Sequence, residues 1–302
     1  MGHGCPLIVV CGEALVDRVE SRETLGGGPF NTAIGLARLG ARTGFVGRLS
    51  TDARGERLLQ ALVAAGVDVS LVRRGPEPTT IAQALLTADG QASYEFHGSG
   101  WHLDDAGAIE RALTAADTAN SRPERTLAVL FGGLSLVFEP GARDYEMLLT
   151  GAHEAGALTV LDPNVRPSAI ADPVAYRRRF ARLARHVDIL KLSDADAAWI
   201  GPLPDVPVLV TTHGAQGISV RTPDVCAHVP ARPVAVADTI GAGDAVNSAL
   251  LSWLDTDGAL HRDRLANYSA QQWKQALGFA ADVAAVTVSR PGADPPSKHE
   301  LV

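Results

Sequence analysis

The sequence predicts an α/β fold: a doubly wound, mostly parallel central sheet flanked by helices, with a small β lid. Three observations carry this. Short apolar runs alternate with helical patterns over most of the chain, as in sheets covered by helices on both faces. Four of those runs, "TLAVLFGG", "ALTVLDPN", "VDILKLS" and "VPVLVTT", are apolar throughout instead of alternating, the mark of central strands buried on both sides. No linker rich in Pro, Gly or Ser divides the 302 residues, so 1–302 reads as a single domain.

The elements follow in order. "LIVVCG" is a buried strand, and "PFNTAIGLARLG" a helix with Pro29 near its first turn and Gly40 past its end. "ARTGFVG" and "RGERLLQALVAAG" repeat the unit, with Leu58, Leu59, Leu62 and Val63 on one helix side and Gly66 as the stop. The rhythm then breaks: "TTIAQALLTADGQASYEFHG" reads as two strands around an Asp89-Gly90 turn. In a parallel α/β protein such a hairpin is a candidate flap over the strand ends where ligands bind. With the polar, extended segment after Asp17 it defines lid segments at about 17–25 and 79–100. Beyond the four central strands, "ARPVAVA" is a further strand candidate leading to the helix "DAVNSALLSWL", apolar at 246, 249, 250, 253 and 254.

The formal net charge of -7, without a long basic run, leaves no footprint for nucleic-acid binding. In the densest positive stretch, "AYRRRFARLARHVD", Phe180, Leu183, Ala184 and Val187 share one helix face and the arginines the other, which reads as a solvated face. No run approaches the length of a membrane span, and "LIVV" has neither a basic flank nor a cleavage-like site. Cys5, Cys11 and Cys226 are too few and scattered for a disulfide framework or a CxxC metal site. The expectation is a cytoplasmic protein with buried thiols and no membrane partner.

Several loops carry polar groups at strand ends. In "VADTIGAGDAVNSALL" three small residues, Gly241, Ala242 and Gly243, precede Asp244 at the start of a helix. Free N–H groups and the positive dipole end there make an anion site. A carboxylate beside a bound phosphate is repelled by it, and a base that deprotonates an attacking hydroxyl would justify that cost. Equally, Asp244 is a favoured helix N-cap, and spacing alone leaves both readings open. The dinucleotide reading of "GAGDAV" lacks the third glycine, since Val246 stands there, and the loop is far from the first βα unit. No Gly-Lys pair occurs, which excludes a P-loop.

"LGGGPFNTAIGLARLG" offers Gly26, Gly27 and Gly28 for close backbone approach and Asn31 as donor and acceptor, a site suited to a polyol or else a plain turn. Asp17 is either a carboxylate for two sugar hydroxyls or a solvated acid. "LDPNVRP" groups Asp162, Asn164 and Arg166 between two prolines: a metal-competent acid, an amide and a phosphate-competent guanidinium, or a rigid surface loop. Ser193, Asp194 and Asp196 open a helix in "KLSDADAAWI", and Thr212, Gly214 and Gly217 form a turn in "VTTHGAQG".

In that order the loops resemble the ribokinase or PfkB family of carbohydrate kinases over nearly the whole chain. "GGGPFNTAIGLARLG" is similar to the family's N-terminal signature and "DTIGAGDAVNSALL" to its C-terminal one. "CGEALVD", "GFVGRLSTDARGERL", "DPNVRP", "VTTHGAQG" and "VSRPGADPP" look like the fructokinase branch; 2-keto-3-deoxygluconate kinases share much of this, purine nucleoside kinases less, and ribokinase stays an alternative. The resemblance implies that Asp244 is the base for the sugar's terminal hydroxymethyl and that the amides of Gly241, Ala242 and Gly243 neutralise the transferring phosphoryl group. It implies sugar contacts from Asp17, Gly27, Gly28, Asn31 and Arg166, and nucleotide contacts from Lys191, Ser193, Thr212, Gly214 and Gly217. ATP and Mg2+ are the implied cofactors. The family's N-x-x-E metal motif appears as Ser193 and Asp196, with Asp162 as the other magnesium candidate, both through water. Asp238 and the "SRPGA" loop are where the family often holds a monovalent cation such as K+.

In the lid, "YEFHGSGWHL" has His97 where an aromatic commonly sits and no Arg directly after it. An acidic sugar would want that second cation, so the lid favours a neutral sugar, fructose first. An exposed hairpin also makes a homodimer through the lid an expectation. Two readings of other classes stand beside the kinase: a sugar-binding regulator that lost the chemistry, supported by the altered Ser193 and Asp196, and a nicotinamide oxidoreductase.

Overall fold

The computed structural model describes residues 8–86, 92–98, 103, 107 and 127–301. Its first half contains β1 (Ile8–Cys11), β2 (Leu15–Val19), β3 (Arg22–Gly26), α1 (Gly28–Arg38), β4 (Thr43–Val46), β5 (Arg48–Ser50), α2 (Ala53–Ala64), β6 (Arg73–Gly75), β7 (Ile81–Leu86) and β8 (Ala92–His97). The second half contains β9 (Ala128–Gly132), α3 (Gly141–Glu154), β10 (Leu158–Asp162), α4 (Pro173–Leu183), β11 (Ile189–Ser193), α5 (Asp194–Ile200), β12 (Val208–Thr212), β13 (Ile218–Arg221), β14 (Cys226–Val229), α6 (Ala242–Thr256), α7 (Arg262–Ala266) and α8 (Ala270–Val288).

Among the described residues the main sheet has eight strands in the order β14-β13-β12-β11-β10-β9-β1-β4. From β4 to β12 neighbouring strands run parallel, and the hairpin β13–β14 adds an antiparallel edge. Successive side chains of β1 point to opposite faces, as the pleat demands. Ile8 and Val10 join a core with Phe30, Leu36, Leu58, Leu250 and Trp273 from α1, α2, α6 and α8. Val9 and Cys11 join a second core with Leu149, Tyr176 and Phe180 from α3 and α4. Two apolar faces are why these strands read as unbroken hydrophobic runs.

The helices begin and end where their termini are satisfied. Asp52 caps α2 by accepting from the Gly55 amide at 2.8 Å, and the same carboxylate takes the amide and hydroxyl of Thr79 at 2.8 and 2.6 Å, tying the helix to the start of β7. Ser269 and Gln272 close a capping box on α8. On α4 the arginine face is engaged more than a solvated face would be. Arg182 donates to Glu146 at 2.7 Å, Arg179 to the same carboxylate at 3.2 Å, and Arg177 to the Trp199 carbonyl at 2.6 Å.

A separate four-stranded sheet, β3-β2-β7-β8, stands off the main sheet. Residues 17–25 fall in β2 and β3, and most of 79–100 in β7 and β8; Asp89 and Gly90 lie outside the described residues. The register pairs Ala82 with Phe96 and Ala84 with Tyr94. Tyr94 and Phe96 stack with centroids 6.4 Å apart, and Phe96 meets Phe138 at 6.0 Å.

Two expectations are corrected here. "ARPVAVA" forms no strand: residues 231–237 are irregular and mostly exposed, and the amides of Ala237 and Asp238 donate to the Val288 carbonyl instead of to a sheet. The sheet ends at β14, and the segment runs past that edge without pairing to it. The expected place of His97 in the lid is one residue out of phase. His97 pairs with Ile81 on the other side of the pleat and is exposed, whereas Tyr94 and Phe96 face inward.

Candidate active site

A cavity of about 400 Å³ opens between the inner face of this small sheet and the C-terminal ends of the parallel strands. Ala82, Ala84, Tyr94 and Phe96 roof it, and β1, β10, β11 and β12 feed their following loops into its floor. It gathers Asp17, Gly27, Gly28, Asn31, Arg166, Lys191, Ser193, Asp196, Thr212, Gly241, Gly243 and Asp244. Ala242, Asp162, Gly214, Gly217 and Asp238 are outside its lining.

Asp244 is not the helix cap. The N-cap of α6 is Gly241, in the left-handed region at φ 79° with no side-chain cap hydrogen bond, and Asp244 lies one turn in. A side chain at Gly241 would strike Ala293, whose Cβ stands 2.6 Å from the site of an added Cβ. The Asp244 carboxylate is buried and accepts from Asn31 Nδ2 at 2.9 Å across 213 residues of sequence. Burial pushes its pKa up to about 7; the Asn31 hydrogen bond opposes the rise, the Asp162 charge adds to it, and Lys191 and Arg166 oppose it. A carboxyl poised near neutrality suits a general base.

Asn31 reaches Asp244 because Gly27, at φ 110°, turns the chain from β3 into α1. An added Cβ at Gly28 would come within 2.9 Å of Asn164 Nδ2 and 3.2 Å of Asp244 Oδ1. Only a glycine lets α1 approach the carboxylate this closely.

Lys191 is buried and donates to Asp162 Oδ2 at 2.8 Å. Desolvation works to lower its pKa, but Asp162, Asp244 and Asp196 outweigh that and hold it above the usual lysine value. Its ammonium lies under the glycine turn, 2.7 Å from where a Cβ on Gly243 would sit. Asp162 also accepts from Asn247 Nδ2 at 2.7 Å. The α6 N-terminus and a buried ammonium thus converge on one end of the cavity, next to Asp244, as an electropositive seat for an anion.

Asp17 stands at the other end, on β2. Burial pushes its pKa up to about 6, against the pull of Arg166 and with the push of Glu13. Arg166 is exposed and its Nη1 donates to the Val165 carbonyl at 3.1 Å. Glu13 belongs to none of the sequence-predicted site residues. It is buried, and takes the amides of Leu134 and Ser135 at 3.1 and 3.0 Å and the Ser135 hydroxyl at 2.5 Å, fixing the turn that carries Leu134 into the cavity wall.

Ser193 and Asp196 form a capping box on α5. Asp196 Oδ2 accepts the Ser193 amide and hydroxyl at 2.9 and 2.6 Å, and Oδ1 accepts the Val165 amide at 2.8 Å. The carboxylate therefore serves structure, with a lone pair of Oδ1 left for a metal-bound water. Among the described residues no group of three or more His, Cys, Asp or Glu is placed to hold a metal ion directly. That donor set fits a hydrated magnesium carried by phosphates and not a protein cage. Asp238 Oδ1 takes the Ile240 amide at 3.0 Å and Oδ2 the Gly292 amide at 2.9 Å, joining the glycine turn to the "SRPGA" loop. Gly214 and Gly217, at φ 54° and 110°, shape the turn beyond Thr212.

Comparisons with known proteins give the family and the fold. The profile of the "pfkB family carbohydrate kinase" matches residues 10–300. A fructokinase of Rhizobium leguminosarum bv. trifolii is 36% identical over 286 residues, 88% of this chain and 85% of that protein. Fructokinase-1 of Oryza sativa subsp. japonica is 29% identical over 97% of this chain and 91% of its own length. Among solved structures, fructokinase with bound ATP from Xylella fastidiosa superposes with a TM-score of 0.85 at 24% identity, covering 98% of this chain and 96% of that one. A double mutant of Vibrio cholerae O395 fructokinase, bound to fructose, ADP and a potassium ion, gives 0.82 at 21% identity, covering 98% and 97%. A match across residues 10–300, on a fold whose loops bring a buried acid to a glycine-turn anion seat, makes the chain a member of the pfkB family of carbohydrate kinases.

Proposed function

We propose that the protein transfers the γ-phosphoryl group of ATP to the terminal hydroxymethyl of a neutral sugar, fructose first. The observation that carries this is Asp244: a buried carboxyl raised to about 7, oriented by Asn31, between the cavity and the α6 N-terminus. Asp244 takes the hydroxyl proton as the oxygen attacks phosphorus. The backbone N–H groups of Gly241, Ala242 and Gly243, with Lys191 beneath, meet the charge that spreads over the phosphoryl oxygens. Asp17 and Asn31 hold the sugar hydroxyls, and the Tyr94 and Phe96 rings cover its apolar face and exclude water. Thr212, with the Gly214 and Gly217 turn, belongs to the nucleotide side. Asp196 and Asp162 would hold a magnesium ion through water, which would neutralise charge on the phosphates, and Asp238 would belong to a monovalent-cation loop.

The lid supports a neutral sugar on grounds other than His97. Its β7 and β8 residues at the cavity are apolar or aromatic, Asp17 on β2 adds an acid, and Arg18, the cation it does bring to the cavity, is paired with Glu23 at 2.6 Å. Arg166 favours a second reading, a keto-deoxy sugar acid, because its guanidinium borders the cavity near Asp17. A panel of hexoses, pentoses, keto-deoxy acids and nucleosides with MgATP decides between them: fructose should give the highest kcat/KM. Turnover of the acid alone transfers the assignment to Arg166, and sugar binding without turnover of any member favours the regulator.

Asp17→Asn should raise the sugar KM by about tenfold to a hundredfold, since a hydrogen bond to a charged acceptor is worth roughly 1.5–3 kcal/mol. Its kcat should change little, and initial-rate kinetics checks both. We further propose a cytoplasmic homodimer joined through the small sheet, whose outer strands among the described residues are β3 and β8. The exposed Val19 supports this, and light scattering tests it. No described helix is long and apolar enough to cross a membrane.

A further inference from the structure

Beside Asp244, sharing Gly28, Gly133, Asn164 and Asp244 with the main cavity, lies a second cavity of about 10 Å³, the space of one water molecule. It is bordered by α1, the ends of β9 and β10, and α6, and its polar lining is Thr32, Asp162, Asn164, Asp244 and Asn247. Gly28 borders both this cavity and the larger one, so the Asp244 carboxylate stands between them.

Thr32 is the unusual member. It is 1% exposed, and its hydroxyl has no hydrogen-bond partner among the described residues. Helical threonines ordinarily return that hydroxyl to the carbonyl one turn back. Thr150, Thr256 and Thr287 all do so here, at 3.0, 2.9 and 2.9 Å. An orphaned buried hydroxyl costs free energy, and Thr32 lines a hollow of one water's size that also holds the polar groups of Asp162, Asn164, Asp244 and Asn247. Asp244 Oδ2 accepts from Asn31, and Oδ1, beside Gly28, makes no hydrogen bond among the described residues.

A cation suits the hollow poorly. Lys191 already neutralises Asp162, and no cluster of three metal-competent side chains exists among the described residues.

We infer that a single internal water occupies this cavity, accepts from the Thr32 hydroxyl, donates to the Asp244 carboxylate and holds the base in place. Its other hydrogen goes to Asp162, and the side chains of Asn164 and Asn247 complete its surroundings. Three bonds are what buried waters usually make. The charged groups facing Asp244 across this space are Asp162 from β10, Lys191 from β11 and Arg166 from the loop after β10. Thr32 is a positioning residue, acting through the water. The water site rests on packing alone; its effect on rate rests on Asp244 being the base.

The test compares wild type, Thr32→Val and Thr32→Ser. Crystal structures that resolve ordered waters should show one water within hydrogen-bond distance of the Thr32 hydroxyl in wild type and Thr32→Ser, lost in Thr32→Val. With fructose, Thr32→Val should lower kcat about threefold to tenfold, the worth of one hydrogen bond. KM should stay within about twofold, and Thr32→Ser should recover kcat. Absence of that water from wild type, with Thr32→Val melting higher at unchanged kcat, overturns the inference, because that is how a truly orphaned hydroxyl behaves. Loss of the water from Thr32→Val without loss of kcat overturns the positioning role. If the wild type phosphorylates no sugar, the proposed function fails while the crystal structures still decide the water.

Discussion

An Asp244→Asn variant is expected to lose about 10²–10⁴ in the rate of phosphoryl transfer, the usual worth of a positioned general base, while still binding sugar. Asparagine has the same shape and its carbonyl oxygen still accepts from Asn31, so the cavity wall persists and only the proton acceptor is lost. Stability moves the other way. The carboxyl titrates at about 7 when folded, against 3.8 for an unperturbed aspartate, so between those values the folded protein binds the proton more tightly. Its contribution is fully present below about pH 4 and is lost as pH rises through about 7. Asp244→Asn should therefore melt above wild type at pH 8, and the difference should shrink toward pH 4. Equal melting at both pH values would contradict the burial argument, and a retained rate the catalytic one.

Lys191→Met is the second large effect. The ammonium and the Asp162 carboxylate are both buried and 2.8 Å apart. Removing one partner leaves the other charge uncompensated in the interior, which costs about 3–5 kcal/mol, much of the roughly 5–15 kcal/mol that holds a domain folded. Urea unfolding should show the loss, and adding Asp162→Asn to Lys191→Met should recover part of it through the coupling of a double-mutant cycle. With Asp162→Asn measured alone as well, a double variant whose loss equals the sum of the two single losses would mean that the pair contributes no coupling. The rate should fall as well, because the same ammonium lies beneath Gly243 in the anion seat.

Much of this architecture was legible because strand burial and helix stops write themselves into local composition. β9 to β12 read as apolar runs, and Gly40 and Gly66 sit past their helices with φ of 91° and 85°. The glycine turn and Asp244 were also legible, as a strained, side-chain-free entry to a helix. What failed depends on contacts distant in sequence. "ARPVAVA" has a strand's composition, but its last amides go to the Val288 carbonyl at the end of α8 and not to a strand. The lid needed its register, since a shift of one residue exchanges the His97 face for the Tyr94 and Phe96 face. Ser193 and Asp196 look alike as metal ligands or as a capping box until the Val165 amide is seen to claim the second oxygen. Glu13 and Asn247 matter through partners 121 and 85 residues away, and no local pattern announces such pairs. The "CGEALVD" stretch was the one signal for Glu13.

The claim that Asp244 is the base is tested most directly by single-turnover phosphorylation of fructose as a function of pH, with MgATP saturating. The rate should climb about tenfold per pH unit below neutrality and level off above an apparent pKa of about 7, with the climb absent from the residual activity of Asp244→Asn. A wild-type rate that is flat from about pH 5 to 8, or a climb that survives in Asp244→Asn, would show that the proton is taken by another group.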